Sequence, residues 1–134
     1  MSYSAFDHPV LSGLVGDEEI AVFFSLEAEI EAMLAFEAAL AEAEAQLGVI
    51  PQDAAKKIGD VCKTFEPDIA ALKKATGRDG IVVPDLVRQL RAAVGPEAAK
   101  FLHFGATSQD VIDTSLMMRL SAVSTLLLDR LDHL

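Results

Sequence analysis

Cysteine is almost missing from this sequence. Cys62 stands alone among 134 residues, which excludes a disulfide scaffold and fits a reducing compartment. No unbroken apolar run approaches the roughly 18 residues of a membrane span. The opening Met1-Ser-Tyr-Ser-Ala-Phe-Asp-His8 lacks the basic stretch of a signal peptide. Positive charge is scarce: 11 Lys and Arg face 21 Asp and Glu, a net charge of −10 with a pI near 4.6. Such a balance repels phosphates, so no nucleic-acid partner and no anionic membrane surface is expected. What these absences leave is a soluble, acidic globular chain, expected in the cytoplasm. Its 51% hydrophobic content is enough for a buried core and rules out wholesale disorder.

The charge is also unevenly placed. Residues 1–55 hold eleven acids and no Lys or Arg, whereas residues 56–134 hold ten acids and eleven bases. The acidic half reads as a solvated helix face, with a docking surface for a basic partner as the alternative. Residues 1–16, with Pro9, Gly13 and Gly16, read as an irregular arm. Between Asp17, a good N-cap, and Leu47 there is no Gly or Pro, and Gly48 and Pro51 follow. The spacing predicts one long helix there, with a row Leu26, Met33, Leu40, Leu47. A second row begins at Phe23 and Ile30 and turns into Glu37 and Glu44.

Shorter helices are predicted from Pro51 to about Cys62, from Pro67 to Thr76 with Gly77 as stop, and from Pro84 to Val94 with Gly95 as stop. Ile81-Val82-Val83 reads as extended linker, too short for a sheet. Pro96 to His103 predicts one or two more turns. A last helix starts at Thr107 or Ser108 and carries Ile112, Leu116, Leu120, Val123, Leu127 and Leu134 on an apolar row that nothing stops. An unterminated stripe of this kind is expected of a piece of a longer chain. The fold class predicted is all-α, with residues 1–106 as an N-terminal helical domain and 107–134 as the start of a bundle helix.

The most specific string is Phe101-Leu-His103-Phe-Gly105-Ala-Thr107-Ser108-Gln109-Asp110-Val-Ile-Asp113-Thr114. Thr107 can cap the helix that follows, with Asp110 completing a capping box. The free first-turn N–H groups and the hydroxyls of Thr107 and Ser108 suit a carboxylate or phosphate, and Gly105 allows close backbone approach. His103 could add a hydrogen bond or a proton near neutral pH. An ordinary capped helix after a turn explains the same residues. No metal is expected, because the helix dipole accounts for Asp110 and Asp113 and no second histidine sits at ligand spacing. Neither a Gly-rich nucleotide loop nor a Gly-x-Ser-x-Gly elbow is present.

The string from His103 to Thr114 closely resembles the first signature region of the fumarase/aspartase superfamily. Met33-Leu-Ala-Phe-Glu37-Ala-Ala-Leu40-Ala-Glu-Ala-Glu44 and Gly48-Val-Ile-Pro51 resemble the first long helix of its cycloisomerase branch, which acts on 3-carboxy-cis,cis-muconate. The segment Thr76-Gly77-Arg-Asp-Gly-Ile-Val-Val-Pro84-Asp-Leu-Val87 separates the branches. Adenylosuccinate lyases usually carry Thr-x-His-Asp here, and this chain has no histidine between His8 and His103. The cycloisomerase branch has a Gly-containing loop followed by Pro-Leu-Val, from which Pro84-Asp-Leu-Val87 departs by the inserted Asp85.

The resemblance implies an all-helical homotetramer, with each active site assembled from three signature regions on three subunits. It implies a small tricarboxylate-type substrate, no redox or nucleotide cofactor, and lactone formation in aromatic catabolism. His103, Thr107, Ser108 and Gln109 are then the substrate-binding candidates, with the proton donor expected beyond Leu134. Adenylosuccinate lyase, or another lyase of the superfamily, is the alternative activity. A helical interaction module without chemistry is the alternative of another class. With one signature region of three, the 134-residue chain alone is expected to be inactive.

Overall fold

The computed structural model describes residues 4–133. Eight helices follow one another among them: α1 Ser12–Val15, α2 Glu18–Val22, α3 Leu26–Gln46, α4 Gln52–Cys62, α5 Ile69–Asp79, α6 Val83–Val94, α7 Pro96–Ala99 and α8 Ser108–Asp132. No strand forms among the described residues, as the all-α reading requires.

The single long helix expected from Asp17 to Leu47 is two helices. Ser25 lies in extended backbone (φ −68°, ψ 158°) and its hydroxyl accepts a hydrogen bond from the Ala28 N–H, so it caps α3 and separates it from α2. Neither Gly nor Pro marks the break; a serine between two phenylalanines and a leucine does. The burial pattern of α3 also differs from the Leu26 row. Met33 is buried, but Leu26 and Leu47 are exposed, and the core side runs through Ile30, Met33, Leu34, Glu37, Ala41 and Ala45. Alanines replace leucines there because α4 and α8 pack closely on both flanks of α3.

Helix α5 runs past Gly77 and stops at Gly80, whose left-handed backbone (φ 73°) lets its N–H bond back to the Thr76 carbonyl. Val83 is helical rather than extended, and Val82 already has helical angles, so the expected linker shrinks to Ile81. The arm contains one short helix, α1, and its first three residues lie outside the described residues, as does Leu134 at the far end of the α8 row. The core gathers Met33, Ile58, Val83, Leu86, Leu90, Leu102 and Val111, each at most 1% exposed. Burying a side chain of this size is worth about 2 kcal/mol. The cluster fixes α3, α4, α6 and α8 against one another, and the turn from Lys100 to Thr107 is held between them.

Candidate functional site

Three devices shape the turn that leads into α8. The Arg91 guanidinium on α6 donates to the Leu102 carbonyl at 3.0 Å. Leu102 itself is wholly buried. His103 then takes a left-handed backbone (φ 57°), as does Gly105 (φ 70°). Histidine tolerates this region better than most residues, but it still needs holding there. The hold comes from α3. His103 Nδ1 lies 2.6 Å from Glu37 Oε1, across 66 residues of chain. Glu37 is 1% exposed and the imidazole 14%.

The α8 terminus is a complete capping box. Thr107 Oγ1 accepts from the Asp110 N–H at 3.3 Å and donates to Asp110 Oδ2 at 2.8 Å, while the Thr107 N–H donates to the same carboxylate at 2.7 Å. The two bonds that Thr107 donates to it hold the Asp110 carboxyl below the ordinary carboxylate range, the backbone bond most of all. Gln109 is exposed and donates to Asp113 one turn on. Ser108 is half-buried, and its hydroxyl has no partner among the described residues. The structure therefore brings His103, Thr107, Ser108 and Gln109 onto one short turn but uses them differently. Thr107 is committed to the cap and Gln109 to Asp113, whereas the Ser108 hydroxyl and His103 Nε2 are unengaged. Among the described residues no group of three metal-ligating side chains forms, and Asp110 and Asp113 are held by their own helix.

A lyase family profile matches residues 11–134. The 3-carboxy-cis,cis-muconate cycloisomerase of Bradyrhizobium diazoefficiens is 44% identical over 117 residues, which is 85% of this chain and 26% of that one. The N-acetyl-S-(2-succino)cysteine lyase of Enterococcus italicus is 38% identical over 120 residues, 90% of this chain and 26% of its own. A crystal structure of a fumarate lyase from a Mesorhizobium species superposes with a TM-score of 0.82 at 38% identity, over 87% of this chain and 27% of that one. The chain belongs to the fumarase/aspartase-type lyases. It spans about a quarter of the length of the relatives it matches.

In this lyase chain a buried carboxylate, Glu37, and a half-buried one, Glu44, stand beneath the turn, and they do not figure among the sequence-derived site residues. Glu37 and Glu44 lie seven residues apart on α3, and each has an Oε2 that is buried without a hydrogen-bond partner. Burial pushes the carboxyl of each up; at Glu37 the neighbouring His103 opposes that rise. Gly105 passes over Glu44: a Cβ on it would come to 3.9 Å from Glu44 Oε1. The signal was present in the sequence, because these are the two positions where the apolar row Phe23, Ile30 turns acidic. An acid on the buried side of a helix needs a reason, and only the fold supplies His103 as that reason.

A groove of about 980 Å3 lies elsewhere. It runs along α3 and α4, is lined by Leu26, Ile30, Leu34, Ala55 and Phe65 among others, and includes no residue of the turn. Helix α8 is long and apolar enough, averaged over an 18-residue window (mean hydropathy 1.4), to cross a membrane by length and composition alone. The absence of an unbroken apolar run therefore did not exclude such a span. The lyase match runs through this same helix, and Arg119 within it donates to the carbonyls of Ser115 and Phe23.

Proposed function

We propose that this chain is the N-terminal part of a 3-carboxy-cis,cis-muconate cycloisomerase, with residues 1–106 as its helical N-terminal domain and 107–134 as the start of a central bundle. The enzyme works in the cytoplasm without a redox or nucleotide cofactor, binds neither nucleic acid nor membrane, and assembles as a homotetramer. The observation that carries this reading is the set of polar groups left unengaged on the turn among the described residues: the Ser108 hydroxyl, His103 Nε2 and the N–H groups of Ser108 and Gln109 at the start of α8. It lies in a chain 44% identical to a cycloisomerase of that name. During lactone formation one substrate carboxylate attacks a double bond. Negative charge builds up beside a second carboxylate, and the adjacent carbon then takes up a proton. Donors aimed at that second carboxylate bind the transition state more tightly than the ground state. The proton donor belongs to parts of the enzyme outside this chain.

Similar identity to a lyase acting on a succinylated cysteine sustains a second reading, a lyase that eliminates fumarate from a succinyl adduct. Purified full-length enzyme should be assayed against 3-carboxy-cis,cis-muconate, adenylosuccinate and N-acetyl-S-(2-succino)cysteine side by side. Turnover of the muconate at least a hundredfold above the other two is expected. Turnover of either succinyl substrate alone would replace the proposal.

A further inference from the structure

The Glu37 carboxylate is nearly sealed from water, yet only one of its oxygens is bonded, and that bond is to His103. A buried acid with an orphan oxygen is costly to keep, so its presence asks for a function. The ring it holds sits on a left-handed backbone. The preceding carbonyl is pinned by Arg91, and the ring lies five residues from the free Ser108 hydroxyl. Nδ1 is engaged with Glu37, while Nε2 has no partner among the described residues and is not among the sealed-off polar atoms.

We propose that Glu37 is a positioning residue that keeps a proton between its Oε1 and His103 Nδ1, so that Nε2 is the one ring atom offered to a substrate carboxylate and becomes a donor by taking up a second proton. This rests on the reading of the turn as a substrate site. The proton count makes the device definite. With one proton in the pair, that proton lies between Oε1 and Nδ1 and Nε2 is bare. With two, Nε2 carries N–H whichever atom holds the shared proton. An anionic ligand at Nε2 therefore draws one proton from solvent when it binds on the alkaline side. Other titratable groups lie near the pair on each neighbouring element. Glu44 lies on α3, Arg91 on α6 and Asp110 on α8, and on α4 the Cys62 thiol is pushed up to about 11 by burial and by Glu37. None of them bonds to the ring, so they tune the pair without replacing it.

Full-length enzyme and its Glu37→Gln variant should be titrated with propane-1,2,3-tricarboxylate in two buffers of different ionisation enthalpy, on the alkaline side of the binding profile. The native enzyme should take up about one proton per site on binding. Glu37→Gln should take up none, because its amide can turn to donate to Nδ1 and leave the imidazole proton on Nε2. Equal proton uptake by both proteins would overturn the role of Glu37 while leaving the anion site standing. Failure of the native enzyme to bind the tricarboxylate would sink both. Should Glu37→Gln not fold, His103→Asn, which suits the left-handed backbone, must also abolish the uptake; an uptake that persists there refutes the proposal.

Discussion

Thr107 and Ser108 are adjacent hydroxyls with separate duties. The Thr107 hydroxyl spends both its donor and an acceptor site on Asp110, which makes it the cap. Ser108 is the first helical residue, and its hydroxyl serves no cap. In the full-length lyase, Ser108→Ala should lower kcat/KM about a hundredfold, roughly 3 kcal/mol of transition-state stabilisation, and leave the thermal midpoint nearly unchanged. Thr107→Ala should do the reverse in stability, costing about 1 kcal/mol. Thermal midpoint and kcat/KM measured on both variants separate the two duties. A normal rate with a lowered midpoint in Ser108→Ala would return Ser108 to a structural role.

Between elements, helix ends decide. Two glycines near the end of α5 look interchangeable on paper and are not. Gly77 is inside the helix, and a Cβ there meets nothing within 4 Å, so Gly77→Ala should stabilise by about 0.5–1 kcal/mol. Gly80 has φ 73°, and Gly80→Ala should cost about 1–2 kcal/mol. Urea midpoints of opposite sign are the expected outcome; a loss in both would mean that Gly77 ends the helix after all. Farther apart in sequence, Arg130 near the end of α8 grips both oxygens of Asp17, the cap of α2, and reaches Glu19 as well. The guanidinium, helped by the Ile20 N–H, holds the Asp17 carboxyl down to about 2, below its usual 3.8. A depressed carboxyl contributes stability above its ordinary value and loses it as pH falls through the native one. The midpoint difference between native chain and Arg130→Ala should therefore be full at pH 6 and shrink between about pH 4 and pH 2. A difference that ignores pH would show the contact to be packing, not charge.

Over the whole molecule, the apolar surface is larger than this chain can cover. Met117, Met118, Leu120, Leu127, Leu128 and Leu131 are all between 36% and 62% exposed on α8. Exposed patches of several hundred Å2 mark association surfaces. The 134-residue chain should sediment as dimers or larger species, with a weight-average mass that rises with concentration. A clean monomer at high concentration would count against this, and Leu127→Lys with Leu131→Lys should push the distribution towards monomer.

Helix class, most helix positions and the capped turn before α8 were legible in the residues themselves. Pro and Gly act locally on the backbone, and the string from His103 to Thr114 carries its own cap, turn and hydroxyls within a dozen residues. That information needs no partner from elsewhere in the chain. The break at Ser25, the choice of Gly80 over Gly77 and the exposure of Leu26 and Leu47 were not legible. Each depends on which face of α3 or α5 neighbouring helices cover, and periodicity alone leaves that open. Glu37 is the sharpest case. Its sequence context marks only an acid on an apolar row, and the same residue on a solvated face would need no explanation. The packing of α3 against α8 and the turn before it brings Glu37 Oε1 to 2.6 Å from a ring 66 residues away. A lone acid thereby becomes half of a hydrogen-bonded pair, because hydrogen bonds act through space at contact distance and sequence spacing says nothing of that distance.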